Sequence, residues 1–160
     1  MKVNKEDEKF MKMAIALSLK NVTQSLGGPF GAVIVKDGQV IAKSANKVTT
    51  TNDPTAHAEV SAIRKACKKL MTFDLSGCVI YTSCEPCPMC LGAIYWSRIQ
   101  TIFYANTKKD AADIGFDDQF IYDEIDREMD KRNLPVRQLL RAEAQQAFQQ
   151  WTASAIKTEY

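Results

Sequence analysis

The chain has a single histidine, His57, among its 160 residues. A metal site that uses imidazole therefore has only one place to be. Glycine (7) and proline (5) are scarce, and 46% of residues are hydrophobic against 25% charged. This composition excludes a disordered tail, a collagen-like rod and a coiled coil. No apolar stretch approaches the roughly 20 residues of a membrane span. The opening Met1-Lys2-Val3-Asn4-Lys5-Glu6-Asp7-Glu8-Lys9 is too polar for the apolar region of a signal peptide. Charge of one sign is missing as well. With 21 Lys and Arg against 19 Asp and Glu the net charge is +2, too weak a balance to announce a nucleic-acid or membrane surface. These absences predict a cytoplasmic protein of about one domain, large enough to bury a core without disulfides.

Five cysteines is an odd number, so a fully paired disulfide framework is excluded. Cys84, Cys87 and Cys90 fall at three-residue intervals. In a reducing compartment such crowding points to metal binding or redox chemistry.

Neither a repeat nor a composition break divides the chain, so residues 1–160 are taken as one domain. Phe10, Met13, Ala14 and Leu17 recur at helical spacing and predict an amphipathic first helix ending near Gly27-Gly28-Pro29. Ala32-Val33-Ile34-Val35 and Val40-Ile41-Ala42, joined through Asp37-Gly38, predict a hairpin. Asp53-Pro54 predicts the start of the next helix, with Ala56, Val60, Ile63, Cys67 and Leu70 as its buried stripe. Cys78-Val79-Ile80-Tyr81 and Thr101-Ile102-Phe103-Tyr104-Ala105 are apolar strands flanking a helix from Pro88 to Trp96. Val136 to Leu140 is expected as a last strand, and Ala144, Phe148, Trp151 and Ala155 as a closing helix. Apolar runs alternating with helical patterns predict strands covered on both faces, an α/β sandwich.

Two helix starts hold the chemistry. One carries Thr55-Ala56-His57-Ala58-Glu59, the other Cys84-Glu85-Pro86-Cys87-Pro88-Met89-Cys90. Cys87 and Cys90 share one helical face, and the positive end of the helix dipole favours their thiolates. One imidazole nitrogen and two thiolates make three ligands and leave a fourth tetrahedral position open, the arrangement of catalytic zinc. Zinc brings the pKa of water to about 7, and attack on an amidine-like carbon then needs a proton shuttle. Glu59 is the nearest candidate, although residues i and i+2 point apart on an ideal helix.

The pair His57-Ala58-Glu59 and Pro86-Cys87-Pro88-Met89-Cys90 matches the H-x-E and P-C-x-x-C signature of zinc nucleobase deaminases. The chain resembles the cytidine deaminase-like superfamily. Gly27-Gly28-Pro29-Phe30-Gly31-Ala32-Val33, Thr51-Asn52-Asp53-Pro54-Thr55, Cys90-Leu91-Gly92-Ala93-Ile94-Tyr95-Trp96, Gly115-Phe116-Asp117-Asp118 and Glu159-Tyr160 resemble the bacterial guanine deaminases in particular. That resemblance implies a three-layer α/β/α sandwich around a mixed five-stranded sheet. It implies one zinc per chain on His57, Cys87 and Cys90, with Glu59 as shuttle. It places Phe30, Asn46, Trp96 and Asp118 around a purine base, with Asp118 assisting proton transfer. It implies a homodimer in which residues 141–160 exchange between subunits and Tyr160 closes the neighbour's site. The implied reaction takes guanine and water to xanthine and ammonia.

Other readings stand beside these. Cys84, Cys87, Cys90 and His57 also suit a closed structural zinc site in a non-catalytic interaction module; chelation separates the two, since a structural site unfolds without its metal. Phe30 and Trp96 also fit core aromatics, Asn46 a turn, and Asp117-Asp118 a solvated loop. A tRNA adenosine deaminase shares a similar zinc motif but needs an electropositive face. The run Asp113, Asp117, Asp118, Asp123, Glu124, Asp126, Glu128 and Asp130 does not suit one. A guanosine deaminase would need room for ribose, which the sequence hardly decides.

Overall fold

Asn4 starts helix α1 (Lys5–Thr23). Its side chain accepts from the backbone N–H groups of Glu6 and Asp7, and the Asp7 carboxylate accepts back from the Asn4 N–H. The computed structural model describes residues 3–160; Met1 and Lys2, part of the polar opening, lie outside the described residues. Strands β1 (Gly31–Lys36) and β2 (Gln39–Ala45) form the expected hairpin, with Asp37 and Gly38 both at positive φ in its turn. A short helix α2 (Val48–Thr51) follows, then α3 (Ala58–Leu70), β3 (Cys78–Cys84), α4 (Pro88–Trp96), β4 (Thr101–Asn106) and α5 (Lys108–Asp113). Beyond these come α6 (Gln119–Asp126), a single 3-10 turn and α7 (Arg141–Ala153).

The strands pair in the order β2-β1-β3-β4, antiparallel except for the parallel β3–β4 pair. Side chains alternate across the sheet. Ala32, Ile34 and Ile80 therefore face one side, where they pack with Ala58, Ala62 and Ile63 of α3 and Ile94 of α4. Val33, Val35 and Tyr81 face the other, against Phe10 and Ala14 of α1. Helices thus cover both faces of a mixed sheet. The approach of α1 depends on Gly31: a Cβ there would lie 2.3 Å from the Ala14 carbonyl oxygen.

Two expectations need correction. The sheet has four strands among the described residues, not five. Residues 135–140, which include Val136 to Leu140, make no ladder, and Val136, Leu139 and Leu140 are exposed. A strand needs a bonding partner and a buried face, and an apolar run by itself supplies neither. Asp53-Pro54 does not open α3 either. The Asp53 carboxylate accepts from the Thr55 N–H and hydroxyl in a tight turn, and α3 begins at Ala58 with His57 as its N-cap.

The chain divides into two compact units, Met1–Asp118, which holds the whole sheet, and Gln119–Tyr160. Within the second, no residue is buried. No helix among the described residues is long and apolar enough to cross a membrane.

Candidate active site

Helices α3 and α4 both run up to the same region, and each begins at a residue with a job beyond starting a helix. His57 is the N-cap of α3 and Cys87 the N-cap of α4, both with extended backbone and neither using its side chain to cap. Pro88, next in line, suits the first helical position because it has no N–H to leave unpaired. As an N-cap, His57 lies outside the helical spiral, so the rule that i and i+2 diverge does not bind it. Its ring and the Glu59 carboxylate are free to meet.

The His57 Nδ1 lies 3.6 Å from the Cys87 Sγ and 3.5 Å from the Cys90 Sγ. All three ligand atoms fall within 4.8 Å of one another. Zinc binds sulfur at about 2.3 Å and nitrogen at about 2.0–2.1 Å, so a tetrahedral angle separates the two by about 3.5–3.6 Å. The donor set therefore fits zinc in both kind and spacing. Cys84, the suspected fourth ligand of a closed site, is directed elsewhere: its Sγ donates to the Thr107 carbonyl at 3.5 Å, and burial pushes its thiol up to about 11.

The electrostatics suit a metal as well. A hydrogen bond from the Cys90 thiol, helped by His57, holds Cys87 well below the ordinary thiol range, and Cys90 is pushed up in turn by that bond and by burial. Both sulfurs sit in the first turn of α4, where the helix dipole favours negative charge. The Cys87 hydrogen bond raises His57.

Glu59 is 4% exposed, and burial raises its carboxyl. Its Oε1 lies 3.0 Å from the Thr82 hydroxyl and its Oε2 3.5 Å from the Cys90 Sγ. Thr82 is not marked by the sequence pattern, in which the apolar run ends at Tyr81. The signal available was the polar pair Thr82-Ser83 extending that strand at its carboxyl end, where open α/β sheets collect their ligands.

The remaining expected residues divide. Asp118 is half-buried, and its carboxyl is raised by burial first and by the Cys87 charge second, which links it electrostatically to the cluster. Phe30 packs edge-on against Phe116, centroids 5.0 Å apart, in the segment that leads to Asp118. Asn46 is buried: its N–H donates to the Phe30 carbonyl at 3.0 Å and its Oδ1 accepts from the Val48 N–H at 3.2 Å. Asn21, also missed, donates from Nδ2 to the carbonyls of Gly28 and Asn46 and so ties these loops together. Trp96 is not brought to the cluster within its own chain. It is exposed at the far end of α4, nine residues past Cys87 and so about 13 Å along the helix. Tyr160 lies in the second unit and is exposed.

An open three-ligand set beside a buried carboxylate is the arrangement of a catalytic metal centre, not of a closed structural one. Residues 4–106 match the family described as the cytidine and deoxycytidylate deaminase zinc-binding region, and the chain belongs to that family of zinc-binding hydrolytic deaminases. It is 57% identical over 153 residues to a guanine deaminase of Bacillus subtilis (strain 168), covering 96% of this chain and 98% of that one. The X-ray structure of guanine deaminase from Bacillus subtilis superposes with a TM-score of 0.93 at 56% identity, over 99% of both chains. A tRNA-specific adenosine deaminase of Aquifex aeolicus (strain VF5) is 42% identical over 102 residues, covering 64% of this chain and 67% of that one.

Proposed function

We propose that the chain is a guanine deaminase. Water adds to the amino-bearing carbon of the purine, the carbon–nitrogen bond breaks, and xanthine and ammonia are released. The observation that carries this reading is the convergence of His57, Cys87 and Cys90 beside a buried Glu59, in a chain so similar to a guanine deaminase along its length.

His57 through Nδ1 and Cys87 and Cys90 through their sulfurs would hold the zinc, whose Lewis acidity makes water nucleophilic near neutral pH. Glu59 moves the protons: it takes one from the attacking water, gives it to a ring nitrogen, and protonates the departing amine. A carboxyl raised by burial suits that alternation between base and acid. Phe30 stacks on the base, while Asn46 and Asp118 recognise its polar edge. Asp118 also assists the transfer at the exocyclic amine, a role its raised carboxyl favours.

The assembly is a homodimer with its C-terminal segments exchanged. Support comes from the second unit, residues 119–160, in which nothing is buried although Leu139, Leu140, Phe148, Trp151 and Ile156 are apolar. Helix α4 adds to it, since it carries no charged residue and leaves Tyr95 and Trp96 exposed. In this reading Trp96 lines a base pocket from across the subunit contact, residues 141–160 cross over, and Tyr160 closes the neighbour's site. Five free cysteines suit a reducing, cytoplasmic setting. The small net charge of +2 suits a free base and neither nucleic acid nor a membrane.

The test is ammonia release from guanine, guanosine, adenine and cytosine by the zinc-loaded protein, with a tRNA substrate in parallel. Guanine is expected to be turned over fastest, with guanosine slowed by its ribose. Release confined to adenosine in the tRNA would overturn the reading.

A further inference from the structure

Thr82 is 1% exposed and lies on the same sheet face as Ile80, the face that α3 covers. Its hydroxyl has two acceptors in reach, Glu59 Oε1 at 3.0 Å and the Cys84 carbonyl at 2.8 Å. A threonine hydroxyl carries one hydrogen and two lone pairs. Aimed at Oε1, that hydrogen fixes one oxygen of Glu59, with the Cys84 carbonyl as the competing acceptor. A β-branched side chain in a strand keeps the hydroxyl where it is. Oε1 is thereby occupied. Oε2 is the oxygen on the side of the ligand cluster, 3.5 Å from the Cys90 Sγ.

We propose that Thr82 is a positioning residue for the deamination. Its hydroxyl pins one oxygen of Glu59, so that the other stays turned toward the ligand cluster, where the substrate reacts. This rests on Glu59 being the shuttle. Without the hydroxyl the carboxylate is free to rotate about its last bond, and the working oxygen is correctly placed for only part of the time. Losing such a supporting contact costs about 10–100-fold in metal-site activity.

The experiment compares Thr82→Val, nearly the same shape without the hydroxyl, with Thr82→Ser, which keeps the hydroxyl and drops the methyl. Glu59→Gln serves as the reference. Each zinc-loaded variant is measured for kcat, KM, zinc per chain and melting temperature. Thr82→Val is expected to lower kcat by about 10–100-fold with KM within twofold and zinc near one per chain, and Thr82→Ser to restore most of the rate. A merely structural role would lower the melting temperature of both variants and leave kcat per folded molecule unchanged. If Thr82→Val does not fold, Thr82→Ser against Thr82→Ala makes the same comparison. A hydroxyl-free variant with kcat within twofold of wild type, while Glu59→Gln is inert, overturns the positioning role. Glu59→Gln with more than a tenth of the wild-type rate overturns the shuttle itself and the proposal with it.

Discussion

Replacing Asn21 by leucine separates what holds the base pocket from what holds the metal. Asn21 is 4% exposed, and its amide donates to the Gly28 carbonyl at 2.8 Å and to the Asn46 carbonyl at 2.9 Å. The two losses are unequal. The Gly28 carbonyl keeps the Phe30 N–H at 2.8 Å, so there only one bond's net value goes, about 0.5–1.5 kcal/mol. The Asn46 carbonyl loses a donor inside a buried residue, a cost of about 1–3 kcal/mol. Leucine regains at most about 0.5 kcal/mol as the better helix former, which is too little to change the sign. The sum is roughly 1–4 kcal/mol, or about 2–16 °C of melting temperature for a chain of this length. The loops released carry Phe30 and Asn46, so KM for guanine should rise up to about tenfold, one hydrogen bond's worth of placement. Zinc per chain and kcat should hold, because the clamp's two hydrogen bonds end on Gly28 and Asn46 and on neither His57 nor α4. Thermal melts, metal analysis and steady-state kinetics on one preparation test all three. An unchanged KM in a destabilised protein would refute the link from clamp to pocket.

Cys87→Ala should drop zinc well below one per chain and abolish turnover, and full occupancy with full activity would unseat the ligand assignment. Chelation of the wild type should remove activity and largely keep the fold, because the clusters packed on the two sheet faces include none of His57, Cys87 and Cys90. Tyr81→Phe tests the tie between α1 and β3, where the phenol donates to Asp7 at 2.6 Å. Burial and that bond raise the Tyr81 phenol, so its contribution is intact below about pH 10 and lost above; the same bond lowers Asp7, whose contribution is intact above about pH 4 and lost below. The melting-temperature gap between wild type and variant should therefore be level from about pH 5 to 9 and shrink on either side, and a gap still level at pH 11 would contradict the assignment. Removing Lys157 to Tyr160 should leave zinc and melting temperature unchanged and lower turnover, with partial rescue when truncated chains exchange with Glu59→Gln chains; loss without rescue would put the tail over its own site.

Helices α1 and α4 and the four strands of the first unit were legible because their cues are local, whereas the short helices α2 and α5 have no such periodic cue. Phe10 and Ala14 at one turn's spacing, the Asp37-Gly38 turn, and apolar runs at β1, β3 and β4 each state their period within a few residues. The candidate metal site was legible for a different reason: one histidine and a C-x-x-C pair leave few combinations. The missing information is where a side chain points once the chain has folded. Thr82 lies 23 residues from Glu59 and Asn21 lies 25 from Asn46, and no spacing rule connects either pair. Val136 to Leu140 shows the opposite failure. Its apolar residues suit a strand, but pairing is decided by a partner elsewhere, and among the described residues it has no ladder. Asp53-Pro54 misled because Asp in a turn and Asp at a helix N-cap use the same carboxylate on nearby N–H groups, and here Thr55 took it.

The helix caps show which requirement prevailed over local stability. Helices α1 and α5 both carry reciprocal capping boxes, Asn4 with Asp7 and Thr107 with Asp110. Helices α3 and α4, which form the site, have His57 and Cys87 at their N-caps with no side-chain cap at all. A good N-cap is worth about 0.5–2 kcal/mol over an indifferent residue, so each of these helices forgoes about that much. The sequence can make caps, since it does so twice; α2 and α7 also start without one, at Lys47 and Leu140, but only His57 and Cys87 put the cap residue's side chain into the ligand cluster. His57→Asn tests this directly. Asparagine is among the best N-cap residues, and its oxygen would accept from the first-turn N–H groups of α3 that the imidazole leaves to others. In the metal-free protein the variant should melt higher, by about 2–4 °C for a gain near 1 kcal/mol. In the presence of zinc the order should reverse, because wild type gains the binding free energy of a full ligand set and the variant does not. Turnover should be lost throughout. A variant that melts below wild type without zinc would mean that the contacts of His57 with the two cysteines outweigh a cap, and that the bare N-terminus of α3 carries no stability cost.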